Sequence, residues 1–255
     1  MVPVTICVLL YGDHPALARQ CLESIRQHCP PEQYLLTVGT NAIGSRTREY
    51  LNERQLAGDL DRWIDSPLNL NKCPMMRRMF AEVDTEFIWW FDDDSFLDSR
   101  DVFERWIGGA LQSPGDVAAW GQLAVCNDDG FAPDLPDAVK FVREAPWYRG
   151  LPPPSWRPGG KGELDFNGRG CGDGRWFFIV GGCWLIRTEV VRALDWPDRR
   201  LIKMGDDVLL GEAIRQHGWR TINLGSQGVA INTVKRRGDP GLQPRAAKAP
   251  VADVV

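Results

Sequence analysis

The chain has 255 residues, 44% of them apolar and 25% charged, and a formal net charge of -4. A chain this long can bury a substantial core, as one continuous sheet or as two fused halves. The acidic balance argues against broad attraction to nucleic acid, which rests on basic surface, although it leaves room for a local basic patch.

Seven cysteines, Cys7, Cys21, Cys29, Cys73, Cys126, Cys171 and Cys183, are scattered, odd in number and free of any C-x-x-C pair. That pattern suggests neither a disulfide framework nor a zinc site, and it fits reduced thiols in a cytoplasmic protein. Met1 to Thr5 lacks a basic segment followed by an apolar one, and no apolar run approaches the ~18 residues of a membrane span. The expectation is a soluble, unprocessed chain.

In chain order, Val4 to Leu10 is a β-branched strand running into a turn at Tyr11, Gly12 and Asp13. Leu17, Cys21, Leu22, Ile25 and Cys29 follow helical spacing, and Pro30-Pro31 stops that helix. Tyr34 to Val38 predicts a second strand, Gly39 to Ser45 a turn, and Arg46 to Leu56 a second helix. Trp63-Ile64 is short enough for an edge strand. Pro74 suits the first position of a helix over Met75 to Val83. Phe87-Ile88-Trp89-Trp90-Phe91 is then long enough for one buried strand and too short for a typical helix. Strand-helix alternation of this kind predicts parallel pairing with right-handed crossovers.

Asp101 to Leu111 predicts a helix and Asp116 to Val125 a strand. From Asn127 to Gly174 the chain turns rich in Pro, Gly and Asp, with Trp147, Tyr148, Trp156 and Phe166 interleaved, and reads as a long functional loop. Arg175 to Cys183 is an apolar strand ending at Gly181-Gly182, Val190 to Leu194 a short helix, and Gly205-Asp206-Asp207 opens a helix closed by His217-Gly218. Trp219 to Leu224 is a last strand. The tail after Lys235-Arg236-Arg237 carries few large apolar residues and is expected to be mobile.

Two acid clusters carry the chemistry. Asp92, Asp93 and Asp94 follow the Phe87 strand, where three carboxylates repel one another and a divalent cation would relieve the repulsion. Hard oxygen donors suit magnesium, manganese or calcium, and magnesium characteristically takes one or two carboxylates plus substrate phosphates. The alternative is a solvated acidic turn capping the next helix. Asp206-Asp207 reads either as a helix N-cap with favourable dipole placement or as a general base facing a cleft. Lys72, Arg77 and Arg78 suit a diphosphate or a solvated helix face. Trp147, Trp156 and Trp176 suit either core packing or stacking on an acceptor.

The order of these pieces resembles the family 2 glycosyltransferases of the GT-A fold. The matching residues are Tyr11, Thr40-Asn41, Asn71-Lys72 before Arg77-Arg78, the D-x-D at Asp92 and Asp94, Gly181-Gly182, and Gly205-Asp206-Asp207 with its leucines and Gly218-Trp219. They span about residues 4 to 225. The resemblance implies an α/β fold with a Rossmann-like central sheet, mixed but mostly parallel, flanked by helices. Residues 1–125 would form a nucleotide-sugar-binding half, 126–234 an acceptor-binding and catalytic-base half, and 235–255 a basic tail.

The activity implied is inverting transfer of a sugar from a nucleoside diphosphate donor, usually a UDP one, assisted by manganese or magnesium. Tyr11, Asn41, Lys72, Arg77, Arg78, Asp92 and Asp93 would hold the donor. Asp92 and Asp94 would hold the metal, and Asp207 beside Asp206 would be the base. Trp147, Trp156, Trp184 and Gly182 would meet the acceptor, a saccharide or small polar hydroxyl compound. The sequence departs from the pattern where Asn41 stands for an acid and Asp206 for a Glu. No histidine follows residue 217, so water or Asn232 would complete the metal shell. Other readings are a haloacid dehalogenase-type phosphatase using Asp92, a family that carries its motif on the first strand, and a pseudo-enzyme that binds the nucleotide sugar without turnover. An EF-hand starting at Asp92 fails, because Phe96 and Leu97 occupy its fifth and sixth positions.

Overall fold

A computed structural model describes residues 2–125, 138–151, 177–203, 205–225 and 228–231. Trp156, Trp176, Asn232, the Lys235-Arg236-Arg237 run and most of the Pro-rich stretch lie outside them.

The strands of the first half lie where the apolar runs predict them, whereas the helix expected over 75–83 behind Pro74 begins two residues ahead of that proline, at Lys72, and ends at Phe80. Strands β1 (Val4–Tyr11), β2 (Tyr34–Asn41), β3 (Arg62–Ser66) and β4 (Phe87–Asp92) are linked through helices α1 (Pro15–His28), α2 (Ser45–Leu56) and α3 (Lys72–Phe80). All four strands are parallel, β1 pairing with β2 on one side and β4 on the other, and β3 sits at the edge beside β2. The second half adds β6 (Val117–Val125), β7 (Phe177–Arg187) and β8 (Arg220–Asn223), giving a sheet ordered β3-β2-β1-β4-β7-β6-β8. β7 runs antiparallel to both β4 and β6, while β6 and β8 are parallel. The sheet is therefore mixed and mostly parallel.

Helices cover both faces, which explains the unbroken apolar run of β4. Phe87, Trp89 and Phe91 point into the layer holding α1 and α2, and Ile88 and Trp90 point into the layer holding α3 and α7 (Asp206–Gln216). A strand buried on both faces has no polar side to alternate with. Trp89 stacks on Trp106 at 5.3 Å and Trp90 on Trp184 at 6.0 Å, one pair in each layer.

Several boundaries differ from expectation. β2 runs on through Gly39 and Thr40 to Asn41, because β3 pairs with that stretch. The segment expected as one helix over 101–111 is interrupted by a wider turn at Glu104–Gly108 before α4 (Gly109–Leu111). A helix α5 (Ala138–Arg143) lies inside the stretch read as loop. β5 (Ser95–Leu97) and β9 (Val229–Ile231) form a small second sheet, too short to show a period, and α6 (Thr188–Leu194) follows β7. The described cysteines, Cys7, Cys21, Cys29, Cys73 and Cys183, are buried free thiols. Among the described residues no helix is long and apolar enough to cross a membrane.

Candidate active site

In open α/β sheets a crevice forms beyond the carboxyl ends of the strands where the strand order reverses. Here that place is between β1 and β4. Tyr11 ends β1 opposite Asn41 at the end of β2, and Asp92 ends β4 opposite Leu9. With Asn69, Asn71, Lys72, Asp93 and Lys203 these residues line a cleft of about 370 Å³.

One rim is the loop from Asn69 to Asn71. Asn71 has φ +69° and ψ 177°, a state natural to glycine that costs other residues about 1–3 kcal/mol. Three hydrogen bonds hold it there. Asn41 Nδ2 donates to the Asn71 carbonyl at 3.0 Å, Leu70 N–H donates to Asn41 Oδ1 at 2.7 Å, and Asn71 N–H donates to Asn69 Oδ1 at 2.9 Å. The next residue, Lys72, opens α3.

Lys72 joins the two acid clusters. Its Nζ lies 3.2 Å from Asp92 and 3.1 Å from Asp206 Oδ2, donates to the Gly181 carbonyl at 3.3 Å, and sits 5.8 Å above the Trp90 ring. Burial by itself would depress the lysine pKa, but the carboxylates of Asp206 and Asp92 outweigh it and hold the ammonium firmly protonated. Asp92 Oδ1 also accepts from Trp90 Nε1 at 3.0 Å. The acids of β4 and the acids of α7, more than a hundred residues apart in sequence, are thus tied through one cation.

α7 begins after Gly205, whose φ of +84° is open to glycine at no steric cost. Neither Asp206 nor Asp207 makes the side-chain N-cap bond that one reading expected; Asp207 Oδ1 instead accepts from the adjacent Val208 N–H at 2.8 Å. Asp206 is buried, which raises its pKa, and the nearby Lys72 opposes the shift. Burial, then the neighbouring charge of Asp206, push the Asp207 carboxyl up to about 6.

Gly181 and Gly182 do not end β7, as their sequence suggested; they form a bulge inside it. Pairing with β6 jumps from Trp184 opposite Gly121 to Ile179 opposite Leu123, leaving Val180 to Cys183 as the extra residues. A bulge re-aims backbone groups toward a site. Gly182 O accepts from Ser95 Oγ at 2.7 Å, and a Cβ on Gly181 would stand 3.0 Å from Asp207 Oδ2. The missing side chain leaves room for the acid.

Other expected site residues lie elsewhere. Arg77 donates to the carbonyls of Asp195 at 2.7 Å and Pro197 at 2.5 Å and pairs with the Asp195 carboxylate, outside the cleft lining. Arg78 is exposed, near Asp65, and also outside it. Trp147 and Trp184 are each 1% exposed, packed against Trp196 and against Trp90, so neither offers a face to an acceptor; Trp147 takes its core alternative, and the acceptor contact expected of Trp184 is corrected to core packing. Asp93 lines the cleft, and Asp94 is buried in the turn between β4 and β5. Asp92 ends the fourth strand of the chain, not the first-strand position of the haloacid dehalogenase reading.

No protein-family profile and no curated protein matches the chain. Solved structures do. A mannosyltransferase from Pyrobaculum calidifontis, PcManGT, in complex with GDP-Man and Mn2+, superposes with a TM-score of 0.60 at 16% identity, over 92% of this chain and 58% of its own. S. aureus TarS 1-349 gives 0.50 at 13% identity, over 84% of this chain and 55% of its own. Glucosyl-3-phosphoglycerate synthase from Mycobacterium tuberculosis, in complex with Mn2+, UDP and glucosyl-3-phosphoglycerate, gives 0.50 at 13% identity, over 90% of this chain and 72% of its own. The fold is GT-A. The chain spans little more than half the length of the first two GT-A structures.

Sequence reasoning missed Lys203. It is exposed, lines the cleft, and belongs to no periodic pattern; a lone lysine shortly before an acidic helix start was the only available signal. Among the described residues no three His, Cys, Asp or Glu side chains converge as a cage. Hard carboxylates at the mouth of a polar cleft fit magnesium or manganese, which take few protein ligands and leave positions for phosphate and water.

Proposed function

We propose that the chain transfers a sugar from a nucleoside diphosphate donor, a UDP sugar by the sequence resemblance, to a hydroxyl acceptor with inversion, Asp207 acting as general base. The observation that carries this reading is the Lys72 bridge, which brings Asp92 at the end of β4 and Asp206 at the start of α7 to one place. A group that binds a donor and a group that deprotonates an acceptor must converge for in-line displacement. The GT-A structures in complex with GDP-Man, UDP and Mn2+ add support from the fold.

Tyr11 offers a ring at the cleft wall for the nucleotide base, and Lys203 offers an ammonium to the diphosphate, since Lys72 is engaged by Asp92 and Asp206. Asp92, which lines the cleft, and Asp94, buried in the turn that follows it, would hold manganese or magnesium, which when bound neutralises charge on the leaving diphosphate. Asp207 Oδ2, facing the Gly181 bulge, takes the acceptor proton; with a pKa near 6 it is ionised at neutral pH.

A thermal-shift panel of nucleoside diphosphate sugars, with and without manganese, tests this on the wild type and on Asp94→Ala. Stabilisation that needs the metal and vanishes in the variant is expected, because a ligand that binds only the folded state raises its melting point. No stabilisation by any member of the panel would overturn the reading.

A further inference from the structure

Asn41 stands where the family pattern has an acid, and its surroundings give a reason. The side chain is 3% exposed, and both ends of its amide are engaged with the backbone of the opposite rim. The carbonyl end accepts from Leu70 N–H and the amino end donates to the Asn71 carbonyl. The amide orientation follows from these partners, since the flipped form would face N–H with N–H and oxygen with oxygen. An aspartate here would keep the first bond and could not make the second. Asparagine is the residue of this size that satisfies both.

What the amide holds is a backbone that would not hold itself. Asn71 sits at φ +69°, and the residue after it is Lys72, whose ammonium links Asp92 to Asp206. Released from Asn41, Asn71 would relax toward negative φ and swing the start of α3, moving the lysine from between the two carboxylates. We propose that Asn41 is a positioning residue. Its amide pins the Asn69 to Asn71 loop in a glycine-like conformation and so sets Lys72, and choice of nucleotide base does not pass through it. This rests on the reading that the cleft takes a nucleoside diphosphate.

The test uses Asn41→Ala, the isosteric Asn41→Asp, and Asn41→Ala combined with Asn71→Gly. UDP and GDP, each with manganese, are titrated calorimetrically, and thermal midpoints are recorded. Loss of the pin is expected to lower the midpoint and to weaken both nucleotides by a common factor of about ten, leaving their affinity ratio within about twofold of the wild type. Adding Asn71→Gly should recover most of both losses, because glycine adopts positive φ without strain. If Asn41→Ala does not fold, Asn41→Asp alone decides by the ratio. A changed UDP-to-GDP ratio, or no recovery on adding the glycine, overturns the assignment. If neither nucleotide binds the wild type, the donor reading fails. The pin then stands or falls on whether Asn71→Gly reverses the drop in thermal midpoint.

Discussion

The two halves of the sheet supply the site by opposite means. In the amino-terminal half, Tyr11, Asn41 and Asp92 reach the cleft because three parallel strands in regular register end side by side. In the carboxyl-terminal half, Asp206 and Asp207 are placed by a bulge in β7 and a left-handed glycine ahead of α7. Regular strand ends make a broad surface on which a ligand can lie, and irregular backbone lets one reactive group into a space a normal side chain would fill. The difference teaches that the strand-end groups proposed to bind the donor and the proposed base are under separate structural control, so substitutions should be able to disturb either one alone.

The sharpest separation should come from Asp207→Asn. Removing a general base is expected to lower turnover by about 10²–10⁴-fold while donor affinity is kept. A variant that turns over normally would refute the role. The same change should stabilise the protein at alkaline pH. Folding raises this carboxyl from 3.8 to about 6, so the folded state binds the proton more tightly than the unfolded chain. Its favourable contribution is therefore complete below about pH 4 and is lost as pH rises through 6. Thermal melts should show Asp207→Asn ahead of the wild type at pH 8, by at most about 3 kcal/mol, and level with it near pH 4. Wild-type turnover should fall as the pH drops below 6.

The next effect contrasts one glycine from each half. A Cβ on Gly181 would stand 3.0 Å from Asp207 Oδ2 and 3.5 Å from Lys72 Nζ, whereas a Cβ on Gly39 would stand 2.3 Å from Met79 Sδ in the buried layer under α3. Gly181→Ala should cut kcat by about ten- to a hundredfold through small displacement of the base, with little change in donor affinity. Gly39→Ala should instead lower stability by about 1–3 kcal/mol through overpacking and leave kcat near normal. Steady-state kinetics paired with denaturant melts distinguish the two, and equal loss of kcat in both would erase the contrast between halves.

Sequence reasoning reached far into the first half and less far into the second for the same reason. A strand buried on both faces, such as Phe87 to Phe91, declares itself locally, and the carboxylates that follow it must then lie at its end. A bulge is a relation between two strands, so Gly181-Gly182 looked like a strand end until the pairing with Gly121 and Leu123 was known. α5 was hidden by its Pro- and Gly-rich surroundings, and β5 and β9 by their brevity. Trp147 and Trp184 carried no mark that separates a stacking platform from a core residue; only their burial decides. The link from Lys72 to Asp206 is a tertiary contact that no local spacing encodes.

Arg77 and Lys203 give the smallest and most discriminating prediction, because sequence order and spatial order disagree about them. Arg77 follows Lys72 closely in the chain, yet its guanidinium is occupied by the turn at Asp195 and Pro197 that ends α6. Lys203 is remote in sequence and lines the cleft. If position in the fold governs, Lys203→Ala should raise the donor KM by about tenfold, the scale of one charged contact to phosphate, and the difference from wild type should shrink with added salt. Arg77→Ala should leave that KM unchanged and lower the thermal midpoint by the equivalent of about 1 kcal/mol, the scale of its lost hydrogen bonds. The reverse outcome, a KM effect at Arg77 and none at Lys203, would mean that α3 turns its basic face into the cleft when the donor binds. The boundary drawn between the binding surface and the helix behind it would then have to move.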